Sequence, residues 1–350
     1  MNWLRKLVRY SGVGVFFAGI MAVLQGCSER EGALAFILLL LLQFCSGPVD
    51  DMNNGDSGSG STFTYIYWAE ALDNAIMRCP LASIPCTAGD ATVVAEDGAN
   101  FNSPQGLAID GGFIYWSEGG DNVIMRCALA DIPCTVGDAT VVAQAAGVVD
   151  FPQFILIDSG FIYWAEVGTN SIMRCALTDI PCGAVDIDTV AQDGGEFDSP
   201  EGIFIDNGFI YWAEAADHAI MRCDLADITC DDGDATVVAE DGFEFPGLRG
   251  ILIRGGFIYW AESSDDTITR CALADIPCTL ADTDVVALDG SEFNSPQGIL
   301  IDNGFIYWAE FADDTISRCA LADIPCNAAD VTIVALDGSA FDGITSILLD

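Results

Sequence analysis

The hydrophobic and polar positions of this chain fall into one phrase repeated six times. Its centre is an unbroken apolar run: Tyr65-Ile66-Tyr67-Trp68, then Phe-Ile-Tyr-Trp beginning at Phe113, Phe161, Phe209, Phe257 and Phe305. The tryptophans at 68, 116, 164, 212, 260 and 308 stand 48 residues apart. A short apolar run without alternation predicts a strand covered on both faces. In the second unit, residues 106–110, 113–116, 123–127 and 139–143 are rich in β-branched and aromatic residues and predict four strands. Between them lie Gly111-Gly112, residues 119–122, Asp131-Ile132-Pro133 and a longer Gly/Asn/Ser/Pro stretch, all chain breakers. Four strands in a repeat of this length predict the blade of a propeller.

The ends of the repeat array predict how the circle closes. The run at Tyr65 has no Gly-x-x-Ile-Asp strand before it, whereas residues 343–350 form such a strand with no run after it. Asp350 holds the repeat position of Asp110, Asp158, Asp206 and Asp302, and Thr62 holds it at the start. The difference, 350 − 62 = 288, is six times 48. The expected fold is all-β: a six-bladed β-propeller of four-stranded antiparallel blades, the first blade closed by the C-terminal strand. Closure hides strand edges that an open array would expose.

Three regions follow: residues 1–45 as an export signal or membrane anchor, 46–62 as a Gly/Ser/Asp-rich tether, and 63–350 as the propeller. Arg5, Lys6 and Arg9 precede an apolar stretch at 13–24 that ends at Cys27, a lipidation candidate in the manner of a bacterial lipoprotein signal. A second apolar run at 33–44 leaves two alternatives open: a start at Met21 with residues 30–47 as the signal, or both runs kept as an anchor. Each run is short for a bilayer span.

Charge narrows the partners. The sequence has 53 acids against 12 bases, a net charge of −41, and its single lysine is Lys6. Such a surface disfavours nucleic acid and anionic lipid, since neutralising phosphate takes basic residues. It fits solubility in a saline medium, or the binding of a divalent cation or a cationic protein.

Twelve of the fourteen cysteines form one C-x6-C pair per blade: Cys79/Cys86, Cys127/Cys134, Cys175/Cys182, Cys223/Cys230, Cys271/Cys278 and Cys319/Cys326. Zinc needs four converging ligands, and the chain has one histidine with its cysteine pairs on separate blades. Disulfides that pin a loop inside each blade are expected, and with them an oxidising compartment.

The phrase Tyr67-Trp68-Ala69-Glu70 and its five counterparts resembles the YWTD motif of the low-density-lipoprotein-receptor propellers, with Ala or Ser117 for threonine and glutamate for aspartate. The Ile76-Met77-Arg78 type segment and the Pro-x-Gly-Ile-x-Ile-Asp phrases at 200–206 and 296–302 are similar too. The resemblance covers residues 63–350 and implies six blades, the last strand closing the first. It implies recognition of another macromolecule by one face. The disulfide in each blade is not part of that pattern, and shared fold does not transfer a reaction.

Candidate chemistry is sparse because the repeats are nearly uniform. His218 occupies a turn position held elsewhere by Asn74, Asn122, Asn170, Asp266 and Asp314, so a turn role is expected over a general base. The candidate binding residues are two carboxylate sets expected on one face: Glu70, Glu118, Glu166, Glu214, Glu262 and Glu310, with Asp97, Asp193, Asp241, Asp289 and Asp337. Together they could hold Ca²⁺, which takes six to eight oxygen ligands, although Asp-Gly is also ordinary turn chemistry. The repeated arginines Arg78, Arg126, Arg174, Arg222, Arg270 and Arg318 are expected in inter-blade ion pairs. Phe154, Arg254 and Leu248-Arg249 break the repeat and mark a local patch.

The expected function is an exported, membrane-tethered or secreted scaffold that binds an extracellular or envelope protein or glycan without catalysis. The alternative is a metal-dependent hydrolase or lactonase with carboxylates at the central channel. A monomer is expected, touching membrane only through its N-terminal anchor, with no cofactor unless Ca²⁺ is bound.

Overall fold

The computed structural model describes residues 63–350, apart from 97–101, 136, 145, 193–198, 227, 232, 241–244, 246, 289–293 and 337–341. The leader and Cys27 therefore lie outside the described residues. The strands, β1 to β24 in chain order, form six four-stranded antiparallel sheets. No helix among the described residues is long and apolar enough to cross a membrane.

Blade 1 contains β1 (Tyr65–Glu70), β2 (Ala75–Pro80) and β3 (Thr92–Glu96). Blade 2 is β4 (Pro104–Asp110), β5 (Phe113–Glu118), β6 (Val123–Ala128) and β7 (Thr140–Ala143), close to the four runs read from the sequence. The innermost strands of the next four blades are β8 (Pro152–Asp158), β12 (Pro200–Asp206), β16 (Leu248–Arg254) and β20 (Pro296–Asp302). The innermost strand of blade 1 is β24 (Ile344–Leu349), which pairs antiparallel with β1 in the order β24-β1-β2-β3.

In every other blade a tight turn joins the inner strand to the second strand. In blade 1 that link is non-covalent. The Asp350 carboxylate accepts from the backbone N–H groups of Thr64 and Tyr65 at 2.6 and 2.8 Å. At the other end, the N–H groups of Ala71 and Leu72 donate to Gly343 and Asp342.

The apolar second strand explains why blades stack. Successive side chains alternate faces, so Trp116 packs back onto Tyr67 and Ile76 of blade 1, while Tyr115 packs forward onto Trp164 of blade 3. The circle ends on itself: Trp68 packs against Tyr307 of blade 6, together with Ile344 and Ile347 of β24. The six tryptophans of the repeat are fully buried. Truncating such a side chain to alanine costs about 3–5 kcal/mol.

All six C-x6-C disulfides are formed, with Cα separations of 6.3–6.5 Å. The loop they hold does more than fold onto its own blade. The second cysteine of each pair donates its N–H to the outermost strand of the preceding blade: Cys134 to Val94, Cys182 to Val142, Cys230 to Val190, Cys278 to Val238 and Cys326 to Val286, at 2.7–3.0 Å. Cys86 does the same to Val334 of blade 6 at 2.7 Å, closing a second circle of straps at the rim. Thr87 and Asp90, like Thr135 and Asp138 or Thr279 and Asp282, brace these loops through their side chains.

The repeated arginines correct the sequence reading. They do not bridge blades; each lies over the first aromatic ring of its own blade's second strand, from Arg174 on Phe161 at 4.4 Å to Arg222 on Phe209 at 4.9 Å. The register explains this. Arg126 pairs directly with Tyr115, which puts Phe113 on the diagonal of the same face. Arg174 and Arg270 add ion pairs to Asp188 and Asp284 at 3.2 and 3.1 Å, also within their blades.

Candidate functional site

The glutamate half of the candidate set is brought to one face, at the end of the second strands. There Glu70 and Glu96, the last residues of β1 and β3, both stand opposite Ala75 of β2. The aspartate half, Asp97, Asp193, Asp241, Asp289 and Asp337, lies outside the described residues. Glu70, Glu118, Glu166, Glu214, Glu262 and Glu310 are all buried. Each accepts the indole N–H of the tryptophan two residues earlier, at 2.6–2.8 Å in five blades, with the sixth bond joining Trp164 and Glu166. Residues i and i+2 of a strand share a face, so the Trp-x-Glu spacing itself makes the bond. Among the described residues no three His, Cys, Asp or Glu side chains converge to hold a metal ion.

Burial raises four of these carboxyls, Glu70, Glu166, Glu262 and Glu310. Glu70 is pushed up to about 8, with Asp73, Asp314 and Asp342 adding to the shift, and burial takes Glu166 and Glu310 to about 7. Each binds its proton more tightly folded than unfolded. Their stabilisation is therefore complete below the ordinary value of 4.5 and is lost as pH rises through about 7 to 8. The melting temperature is expected to fall by roughly 5–10 °C between pH 5 and pH 8. Glu70→Gln, which keeps an acceptor for Trp68, should shrink that fall, and calorimetry across pH checks both. An equal fall in the variant would remove Glu70 as a cause.

The same face carries a second ring. Each inner strand opens with a bulge: Pro104 pairs with Glu118 and Leu107 with Trp116, leaving Gln105 and Gly106 opposite Ser117 alone. The other inner strands bulge likewise. Bulges re-aim side chains and recur beside functional sites. The first bulged residue around the channel is Gln105, Gln153, Glu201, Arg249, Gln297 and Thr345 in turn. In four blades a glycine follows it and lets inner strands approach, while Phe154 follows Gln153 and Ser346 follows Thr345. A Cβ on Gly202 would sit 2.3 Å from the Arg249 carbonyl oxygen, and one on Gly106 would sit 2.5 Å from the Ile155 nitrogen.

Thr345, Glu201 and Arg249 reach from blade to blade. Thr345 donates to the Pro104 and Gln105 carbonyls at 3.2 and 3.1 Å. Glu201, buried, forms an ion pair with Arg249 of the next blade. Burial pushes the Glu201 carboxyl up, and the guanidinium pulls it back. Gln105 and Gln297 donate to Ser103 and Ser295.

The residues that broke the repeat are only partly gathered here. Arg249 belongs to the ring, and Leu248 is buried in the core that contains Phe245 and Trp260. Phe154 packs between blades 3 and 4. Arg254 ends β16 at the opposite mouth and lowers the pKa of Asp302, which burial raises. His218 sits in its turn at φ 57° with Nδ1 3.0 Å from the Phe245 carbonyl, so Nδ1 is the donor there. At the equivalent positions Asn74, Asn122 and Asp314 instead accept from the backbone of the following blade. The bulge ring was missed in the sequence. Its signal was faint: the middle residue of Pro-x-Gly changes from Gln105 to Glu201 to Arg249, but Phe154, Leu248, Ile344 and Ser346 break the flanking positions as well.

No protein-family model and no curated protein matches the sequence. Solved structures do. One chain of a nidogen/laminin complex aligns at a TM-score of 0.63 and 15% identity, covering 81% of this chain and 97% of that one. A catalytically inactive virginiamycin B lyase from Staphylococcus aureus, solved with quinupristin, aligns at 0.52 and 15% identity, covering 83% and 94%. At such identities the likeness shows the fold, and the six-bladed propeller expected from the Tyr-Trp-Ala-Glu phrases is the fold observed.

Proposed function

We propose that the protein is an exported propeller that presents the bulge-ring face to an extracellular or envelope protein or glycan, as a binding scaffold and not a catalyst. The observation that carries this reading is where the sixfold repetition breaks. Leu72, 57% exposed, and Phe151, 40% exposed, lie at the same end of the blades as the Glu201–Arg249 pair. Six disulfides support an oxidising compartment. The nidogen/laminin complex is an assembly of propeller and partner, which makes a binding role natural for this build.

The test is capture of envelope or culture proteins on the immobilised protein, with each captured protein identified. A specific partner should bind the parent and bind Leu72→Asp/Phe151→Asp at least about tenfold more weakly. Leu288→Asp, on the outer rim, should bind as the parent does. Equal capture by the face and rim variants would count against this face.

A further inference from the structure

The seam between blades 6 and 1 departs from the repeat at three positions together. In the turn after the second strand, Leu72 stands where the other blades carry Gly120, Gly168, Ala216, Ser264 and Ala312. One position earlier in the same turn, Phe311 of blade 6 replaces Ala71, Gly119, Val167, Ala215 and Ser263. Both side chains close on Gly343, where the chain enters β24. A Cβ there would meet the Leu72 Cγ at 2.8 Å and the Phe311 Cε2 at 3.0 Å. The equivalents of Gly343 are Ser103, Phe151, Ser199, Gly247 and Ser295. A lone exposed leucine is normal on a protein surface. Here three departures set two large apolar side chains together, and Leu72 is still 57% exposed.

Carboxylates surround the pair. Asp73 follows Leu72, and Asp342 precedes Gly343; both are exposed, and the Asp342 carbonyl accepts the Leu72 N–H at 3.2 Å. The Asp314 carboxylate accepts the Gly343 N–H at 2.8 Å. Burial, then Asp342 and Asp314, push the Asp73 carboxyl up. No basic side chain among the described residues answers these charges. Six arginines lie over aromatic rings of their own blades. Arg249 is paired with Glu201, and Arg254 lies at the opposite mouth. A partner that covers this seam must bring positive charge of its own along with apolar surface, and the field of a chain carrying −41 draws such a partner in.

We propose that the seam between blades 6 and 1 docks a cationic amphipathic polypeptide segment, whose apolar side chain covers Leu72 and Phe311 while flanking lysines or arginines meet Asp73 and Asp342. This rests on the binding-scaffold reading and names a partner class for its face. The intact protein is titrated with three blocked pentapeptides, Lys-Leu-Lys-Leu-Lys, Lys-Ser-Lys-Ser-Lys and Glu-Leu-Glu-Leu-Glu, while the amide signals of Leu72 and Gly343 are followed by NMR. The first is expected to shift both signals and to bind at least about tenfold more tightly than either of the others, the factor that burial of one leucine side chain supplies. Leu72→Ser/Phe311→Ser should erase the preference for leucine over serine peptide without loss of the cooperative melting transition, since blade 5 carries Ser263 and Ser264 at these positions. Asp73→Asn/Asp342→Asn should weaken the first peptide about threefold at low salt and keep that preference.

Equal binding of the three peptides overturns the proposal. So do shifts that miss Leu72 and Gly343, or an undiminished preference in the serine variant. A glycan, or a protein without such a basic segment, captured through Leu72 and Phe151 would overturn it too and leave the scaffold reading standing.

Discussion

Deleting residues 344–350 is expected to abolish the single cooperative melting transition of the propeller. The deletion removes β24, and with it the inner strand of blade 1. Ile344 and Ile347 leave the core shared by Trp68 and Tyr307, and the Asp350 carboxylate no longer holds Thr64 and Tyr65. Burying an aliphatic side chain contributes about 1.5–3 kcal/mol. Loss of two fully buried ones, with the half-buried Leu348 and Leu349, approaches the roughly 5–15 kcal/mol by which a domain is stable. The edges of β1 and of the neighbouring inner strands would also open to pairing with other molecules. Calorimetry should show a broad, weak transition and light scattering should show aggregation. A deleted protein that melts sharply at the parent temperature would leave closure without energetic meaning.

The second large effect is expected from the disulfides. Each closes an eight-residue ring, worth about 2.5 kcal/mol by chain entropy. Six of them sum to on the order of 15 kcal/mol, as much as the whole domain is stable by. Because each stapled loop is bonded to the preceding blade, its loss loosens an interface between blades as well as a local turn. Full reduction should remove the cooperative transition. Single-bridge variants such as Cys79→Ser/Cys86→Ser should each lower the melting temperature by about 4 °C. The blades are separate sites, so variants in blades 1 and 3 should be additive. A fully reduced protein that melts like the oxidised one would show that the straps hold without their bridges.

Much of this was legible in residues. Period, strand content and closure could be read from Trp68 and its repeats, because a 48-residue phrase with one buried strand admits few packings. The Trp-x-Glu spacing puts the two side chains on one strand face, but in the sequence the glutamates stood out only as candidate binding residues. Their burial depends on neighbouring blades, which local spacing does not reveal. The arginines read as ion-pair formers because the chain is so acidic. Their stacking needs the register that puts Phe113 diagonal to Arg126. The role of Cys134 as a strap onto Val94 was hidden for a similar reason, as it joins residues 40 apart across a blade boundary. The bulge ring stayed out of sight because a bulge is a property of paired strands, and single-strand periodicity does not show it.

Closure of the circle by β24 is tested most directly by hydrogen–deuterium exchange in the intact, unmodified protein. Bonded amides within Ile344–Leu349 should exchange as slowly as those of Pro296–Asp302, through global unfolding alone, because a seam that is part of the ring opens only when the ring does. Exchange of Ile344–Leu349 about a hundredfold faster than Pro296–Asp302 would contradict it, since the strand would then be detaching from an otherwise folded molecule.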